Sequence, residues 1–80
     1  MECVYIVRSN EGSIRDTEIY NNSFHHDWRS SYNLQNQLRG KMTRVFGRDA
    51  FSKGYIEVYN AEEGLVAKIT SYEQLRGENL

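Results

Sequence analysis

The sequence has no proline, a single cysteine and no large surplus of either charge. No stretch of it approaches the ~20 consecutive apolar residues that a membrane-spanning helix requires. Each absence excludes something. With one thiol, Cys3, no internal disulfide can staple the chain, as a small secreted domain often requires, and a reducing compartment follows. Met1, Glu2 and Cys3 put no basic segment ahead of the first apolar run, so neither a secretory leader nor an anchor is expected and the chain reads as cytoplasmic. A net charge of −1 makes neither a polyanion seeker nor an acidic mimic of DNA from total charge alone. Without proline the turns fall to Gly, Asn and Ser, and no repeat, linker or low-complexity tract interrupts the chain.

What is present describes a folded chain. Of the 80 residues, 39% are apolar, 26% are charged and six are tyrosine, which is a globular composition far from that of disordered chains. A chain this short buries roughly 60 to 65% of the surface its unfolded form exposes, enough for one core, so residues 1–80 are expected to form a single domain. Such a core supplies about 3 to 5 kcal/mol, and docking on a partner or on a second copy of the chain would add to it. A homodimer is therefore kept among the expectations.

Cys3 to Val7 (CVYIV) is an unbroken β-branched and aromatic run, followed by turn residues Ser9 to Ser13 around Gly12. Ile14 to Tyr20 continues as a strand, but Ile14 and Ile19 have opposite parity and cannot share one face of a regular strand, which predicts an edge strand with a bulge. Asn21, Asn22 and Ser23 break it, and Ser23 or Ser30 is the expected N-cap of a helix. At about 100° per residue, Phe24, Trp28, Leu34, Leu38, Met42, Val45 and Phe46 fall on one arc, with Gly47 placed as the positive-φ residue beyond the end. Tyr55 to Tyr59 alternates strictly, Asn60 to Gly64 turns, and Leu65, Ala67 and Ile69 share a face of the returning strand. Ser71 and Gln74 match a capping box for a short terminal helical turn. The predicted fold is α+β, a four-stranded antiparallel sheet with one helix packed on one face in the order ββαββ.

Chemistry is sparse. His25, His26 and Asp27 are the only cluster with a catalytic or metal-ligating look, yet adjacent side chains on a helix diverge by about 100° and no further ligand lies at suitable spacing. The ordinary reading is polar residues in a first helical turn. Cys3 lies in an apolar strand, where a thiol is an inert small hydrophobe rather than a nucleophile. No phosphate loop, nucleophile elbow or carboxylate pair occurs, so no enzyme, metal or cofactor is expected.

Two features point to binding. Arg39, Lys41, Arg44, Arg48 and Lys53 face a single carboxylate, Asp49, in their segment, a local charge of +4 that leaves −5 on the rest of the chain. On a helical wheel Lys41, Arg44 and Arg48 project within ~60° of one another, away from the apolar arc. They form either a ridge for phosphates and acidic surfaces or a solvated face whose cations complement the helix dipole. The second feature is aromatic. With Ile56 and Val58 inward, Tyr55, Glu57 and Tyr59 take the opposite face of the sheet. The first strand adds either Tyr5 and Val7 or Val4 and Ile6 to the uncovered side. Tyrosine there serves either cross-strand pairing or partner contact. The expected contact residues are Tyr5, Arg39, Lys41, Arg44, Arg48, Lys53, Tyr55 and Tyr59, in a protein-binding module, with a DNA- or RNA-binding regulator using the basic helix face as the alternative.

In length, in the opening strand VYIV with its polar turn, and in strand-strand-helix-strand-strand order, the chain resembles small phage-encoded anti-CRISPR proteins. The resemblance is one of layout over the whole chain and brings no diagnostic motif. It implies an inhibitor that docks on a bacterial CRISPR surveillance complex or nuclease in the host cytoplasm and blocks its engagement of nucleic acid. It transfers no residue. The net basic stretch from Arg39 to Lys53 departs from the strongly acidic members that mimic DNA.

Overall fold

The structure, a computed structural model, describes residues 2–21 and 28–76. Its fold is α+β. Four strands, β1 (Glu2–Ser9), β2 (Ile14–Asn21), β3 (Gly54–Asn60) and β4 (Gly64–Ile69), form one antiparallel sheet in the order β2-β1-β3-β4. One main helix, α1 (Tyr32–Phe46), and a short C-terminal one, α2 (Tyr72–Leu75), complete it, with 3-10 turns at Trp28–Ser30 and Ala50–Ser52.

The centre of the sheet follows from composition. β1 is apolar at both parities and takes a neighbour on each side, whereas β2, interrupted by Arg15, Asp16 and Glu18, sits at the border. Cys3, Tyr5 and Val7 of β1 point toward the helix, beside Ile56 and Val58 of β3 and Ile69 of β4, and all are buried. The other parity, Val4, Ile6 and Arg8, lies on the uncovered face and is half-buried.

Helix α1 seals the inner face with Leu34, Leu38 and Met42, each at most 2% exposed, while Val45 and Phe46 pack at its margin. Burying each of the three contributes about 1.5 to 3 kcal/mol as an upper estimate. The cap is Ser31, whose hydroxyl accepts from the Leu34 amide at 3.2 Å, and not Ser23 or Ser30. Trp28 belongs to the preceding 3-10 turn yet still enters the core at 2% exposure. Phe24 lies outside the described residues. Gly47 ends the helix with φ 85° as its amide bonds the Thr43 carbonyl, so Arg48 falls past the helix rather than on its wheel.

The turns close as their side chains dictate. Asn60 Oδ1 accepts from the Glu62 and Glu63 amides, bending β3 into β4. Ser71 caps α2 through the Gln74 amide, and Gln74 Oε1 reaches back to the Thr70 amide, a reciprocal cap shifted by one residue. Both border strands carry an extra residue. Val7 pairs with Asp16 but Arg8 with Ile14, which leaves Arg15 as the bulge expected from the parity of Ile14 and Ile19. In β4, Val58 pairs with Ala67 but Tyr59 with Leu65, so Val66 is the added residue. That second bulge turns Leu65 off the inward face shared by Ala67 and Ile69, and Leu65 is 45% exposed.

Candidate functional site

The face of the sheet opposite α1 carries side chains in three cross-strand rows, given by the pairing register. One row runs Ile14, Arg8, Tyr55. The next holds Ile6, Glu57 and Lys68. The last is Val4, Tyr59 and Leu65. Among the described residues no helix lies over them. Tyr55 and Tyr59 sit here half-buried, as strict alternation in YIEVY required.

Tyr5 does not. It is fully buried on the helix side, because its register partner is Val58 and the two belong to the inward set. A side chain sealed in the core cannot touch a partner, so Tyr5 leaves the set of contact residues. Val4 and Ile6 take its place on the open face.

At the centre of that face Glu57 is only 7% exposed. A buried carboxylate needs partners, and it has two. The Arg8 Nε–H and the Tyr59 hydroxyl both donate to Glu57 Oε1, the latter at 3.1 Å. The carboxylate holds the Arg8 guanidinium above its already high range, chiefly through that hydrogen bond. Arg8 also donates to the Gly12 carbonyl at 2.6 Å, which ties the face to the β1–β2 turn. Lys68 lies 5.6 Å from the Tyr55 ring centroid, a cation–π contact at the rim. The guanidinium and the carboxylate are thus fixed by the protein itself, and the tyrosine rings flank them.

Replacing Arg8 by Met is expected to lower the urea midpoint, because the buried Glu57 side chain then loses its strongest donor. The pair is a quarter exposed on the arginine side, so the loss stays below that of a fully buried pair. Adding Glu57→Leu is expected to restore much of it, since no unpaired carboxylate then remains. Urea melts of the two variants check this, and a double variant no more stable than Arg8→Met would contradict it.

The basic residues do not form the ridge that the wheel suggested. Lys41 Nζ bonds Asp16 Oδ2 at 3.1 Å and Arg44 Nη2 approaches the same oxygen at 3.7 Å, across to the border strand β2. Arg39 is exposed and donates to Asn36 Oδ1. Arg48 follows the helix end, and Lys53 Nζ bonds the Phe46 carbonyl at 3.1 Å. Arg15, which sequence reasoning passed over, lies 5.7 Å from the Phe46 ring centroid and joins Lys53 and Arg48 around that helix end. No signal short of the bulge position would have found it.

A second feature was also missed. Between α1 and α2 lies a cleft of about 270 Å³, walled by Tyr32, Gln35, Asn36 and Arg39 on one side and by Tyr72 and Arg76 on the other. The first four share one face of α1 by their helical spacing, and nothing in the sequence indicated that α2 would fold against it.

His25, His26 and Asp27 lie outside the described residues. Among the described residues no three His, Cys, Asp or Glu side chains come together as a metal site, and no helix is long and apolar enough to cross a membrane. Cys3 forms no disulfide and its thiol is buried in the core. No family model, curated protein or solved structure matches the chain.

Proposed function

We propose that this chain is a small non-enzymatic binding protein that receives a partner protein on the open face of its sheet. The supporting observation is the make-up of that face. It combines two tyrosines, an arginine already fixed by Glu57, and the aliphatic side chains of Val4, Ile6, Ile14 and Leu65. Tyrosine and arginine are the residues enriched at interfaces, and fixing them in advance lowers the entropy lost on docking. The molecule measures 31 × 22 × 21 Å, so one broad side approaches the ~800 Å² that each partner contributes to an interface of standard size.

The finer reading is a phage or mobile-element inhibitor that docks on a bacterial CRISPR surveillance complex or nuclease. It rests on the resemblance of layout and carries no residue of its own. The alternative through the basic helix face is the weaker one, because Asp16 draws both Lys41 and Arg44.

The double variant Tyr55→Ala, Lys68→Glu is the test. It is expected to melt within a few degrees of the parent, to lose the protein that the tagged parent captures from a nuclease-treated bacterial lysate, and to lose any rescue of targeted phage on a CRISPR-immune host. Capture that survives the double variant would remove the face from the proposal. Capture abolished by nuclease alone would favour the nucleic-acid reading.

A further inference from the structure

We infer that the cleft between α1 and α2 is a nucleotide subsite, binding a planar base against the Tyr32 and Tyr72 rings with its phosphate at Arg39. This goes beyond the proposed docking role of the sheet, and none of its residues lies on the open face.

The charge is the first argument. The chain as a whole is slightly acidic, yet the described residues lining this cleft bring the Arg39 guanidinium to its wall and include no carboxylate. A concave site with that lining favours an anion, and guanidinium is the side chain whose fork matches phosphate oxygens. The rings are the second. Tyr32 is 74% exposed, an aromatic surface left to solvent at the mouth of the cleft. Tyr72 faces it from α2 and is held edge-on by Phe51, with centroids 4.8 Å apart and planes at 86°. Bases stack on aromatic faces of this kind without needing a particular sequence.

The walls are tied before any ligand arrives. Trp28 Nε1 donates to the Gln74 carbonyl of α2 at 2.9 Å, and the Trp28 carbonyl accepts from Gln35 Nε2 of α1 at 2.7 Å. Asn36 Oδ1 orients Arg39 at 2.9 Å. Leu75, 2% exposed, gives the cleft an apolar lining. Size limits the occupant, since about 270 Å³ is near the lower end of small-ligand sites, which start at roughly 300 Å³. A single nucleotide is the largest occupant of that volume, whereas a folded partner's helix does not fit it. Free nucleotide and the end of a single strand share this chemistry.

Trp28 is the chain's only tryptophan and is hydrogen-bonded to Gln35 of the cleft wall and to Gln74 of α2, so its fluorescence reports on the elements that form the cleft. Titration of the full chain with AMP, with a short single-stranded oligonucleotide and with inorganic phosphate, at low salt, is the experiment. Saturable shifts are expected for the first two, with phosphate alone at least tenfold weaker. Tyr32→Ala is expected to weaken AMP binding about fivefold or more, and Arg39→Gln about tenfold. Both side chains are exposed, so both variants are expected to melt as the parent does. Tyr55→Ala on the sheet is expected to leave the titration unchanged, which separates this subsite from the docking face. An oligonucleotide that outbinds AMP assigns the site to strands, and the reverse order assigns it to free nucleotide. Two results would overturn the inference: no shift at millimolar AMP or with the oligonucleotide, or phosphate binding as well as AMP with Tyr32→Ala having no effect.

Discussion

Replacing Gly54 with alanine is expected to leave little folded protein at 25 °C. Gly54 opens β3, is buried, and pairs with Ser9 at the end of the central strand. A Cβ built there would collide with the Arg8 carbonyl oxygen and with the Phe46 ring. The ring alone can turn aside, but the carbonyl belongs to β1, which is paired on both sides and has nowhere to move. Overpacking of this kind costs about 1 to 3 kcal/mol and more where backbone is the obstacle, against about 3 to 5 kcal/mol available to a domain of this size. Gly40 supplies the contrast, because it lies in mid-helix with nothing within 4 Å of its added Cβ. There alanine is expected to stabilise by about 1 kcal/mol and to raise the melting temperature by about 4 to 8 °C. Circular-dichroism melts of the two variants decide the matter, and a Gly54→Ala protein that melts cooperatively near the parent's temperature would show that the strand end yields.

Trp28→Ala is expected to be comparably damaging, at about 3 to 5 kcal/mol, since it empties a core site that is 2% exposed. The more informative variant is Trp28→Phe. It keeps most of the apolar volume but loses the hydrogen bond to the Gln74 carbonyl. The sheet is then expected to persist while α2 loosens, seen as faster amide exchange at residues 72–76 than across β1 and β3. Equal acceleration in both regions would mean that α2 is not separately pinned.

Much of this architecture was legible in the sequence because local chemistry and tertiary placement agree. The alternation of YIEVY, the Asn60 turn, the Ser71 and Gln74 cap and the parity conflict between Ile14 and Ile19 each fix one feature, and the structure contains all of them. What was not legible depended on partners far along the chain. CVYIV is apolar at both parities, so only pairing with β3 decides that Tyr5 turns inward and Val4 outward. Three serines compete to start α1, and Ser31 wins because a 3-10 turn intervenes after Trp28. A helical wheel cannot see Asp16 on another strand, and it was Asp16 that dissolved the supposed basic ridge. The open face was half legible. Its tyrosines followed from alternation, while the lock of Arg8 on Glu57, forty-nine positions apart, did not.

The two bulges have a bearing on how anything docks here. Arg15 and Val66 sit in the outermost strands, one at each border of the sheet. A straight visiting strand would meet a kinked rail on either side, with its donors and acceptors out of step. Growth of the sheet by lateral addition is thereby discouraged, whether by a copy of the chain or by a foreign peptide. Visitors are steered to approach broadside, where side chains rather than main chain do the reading.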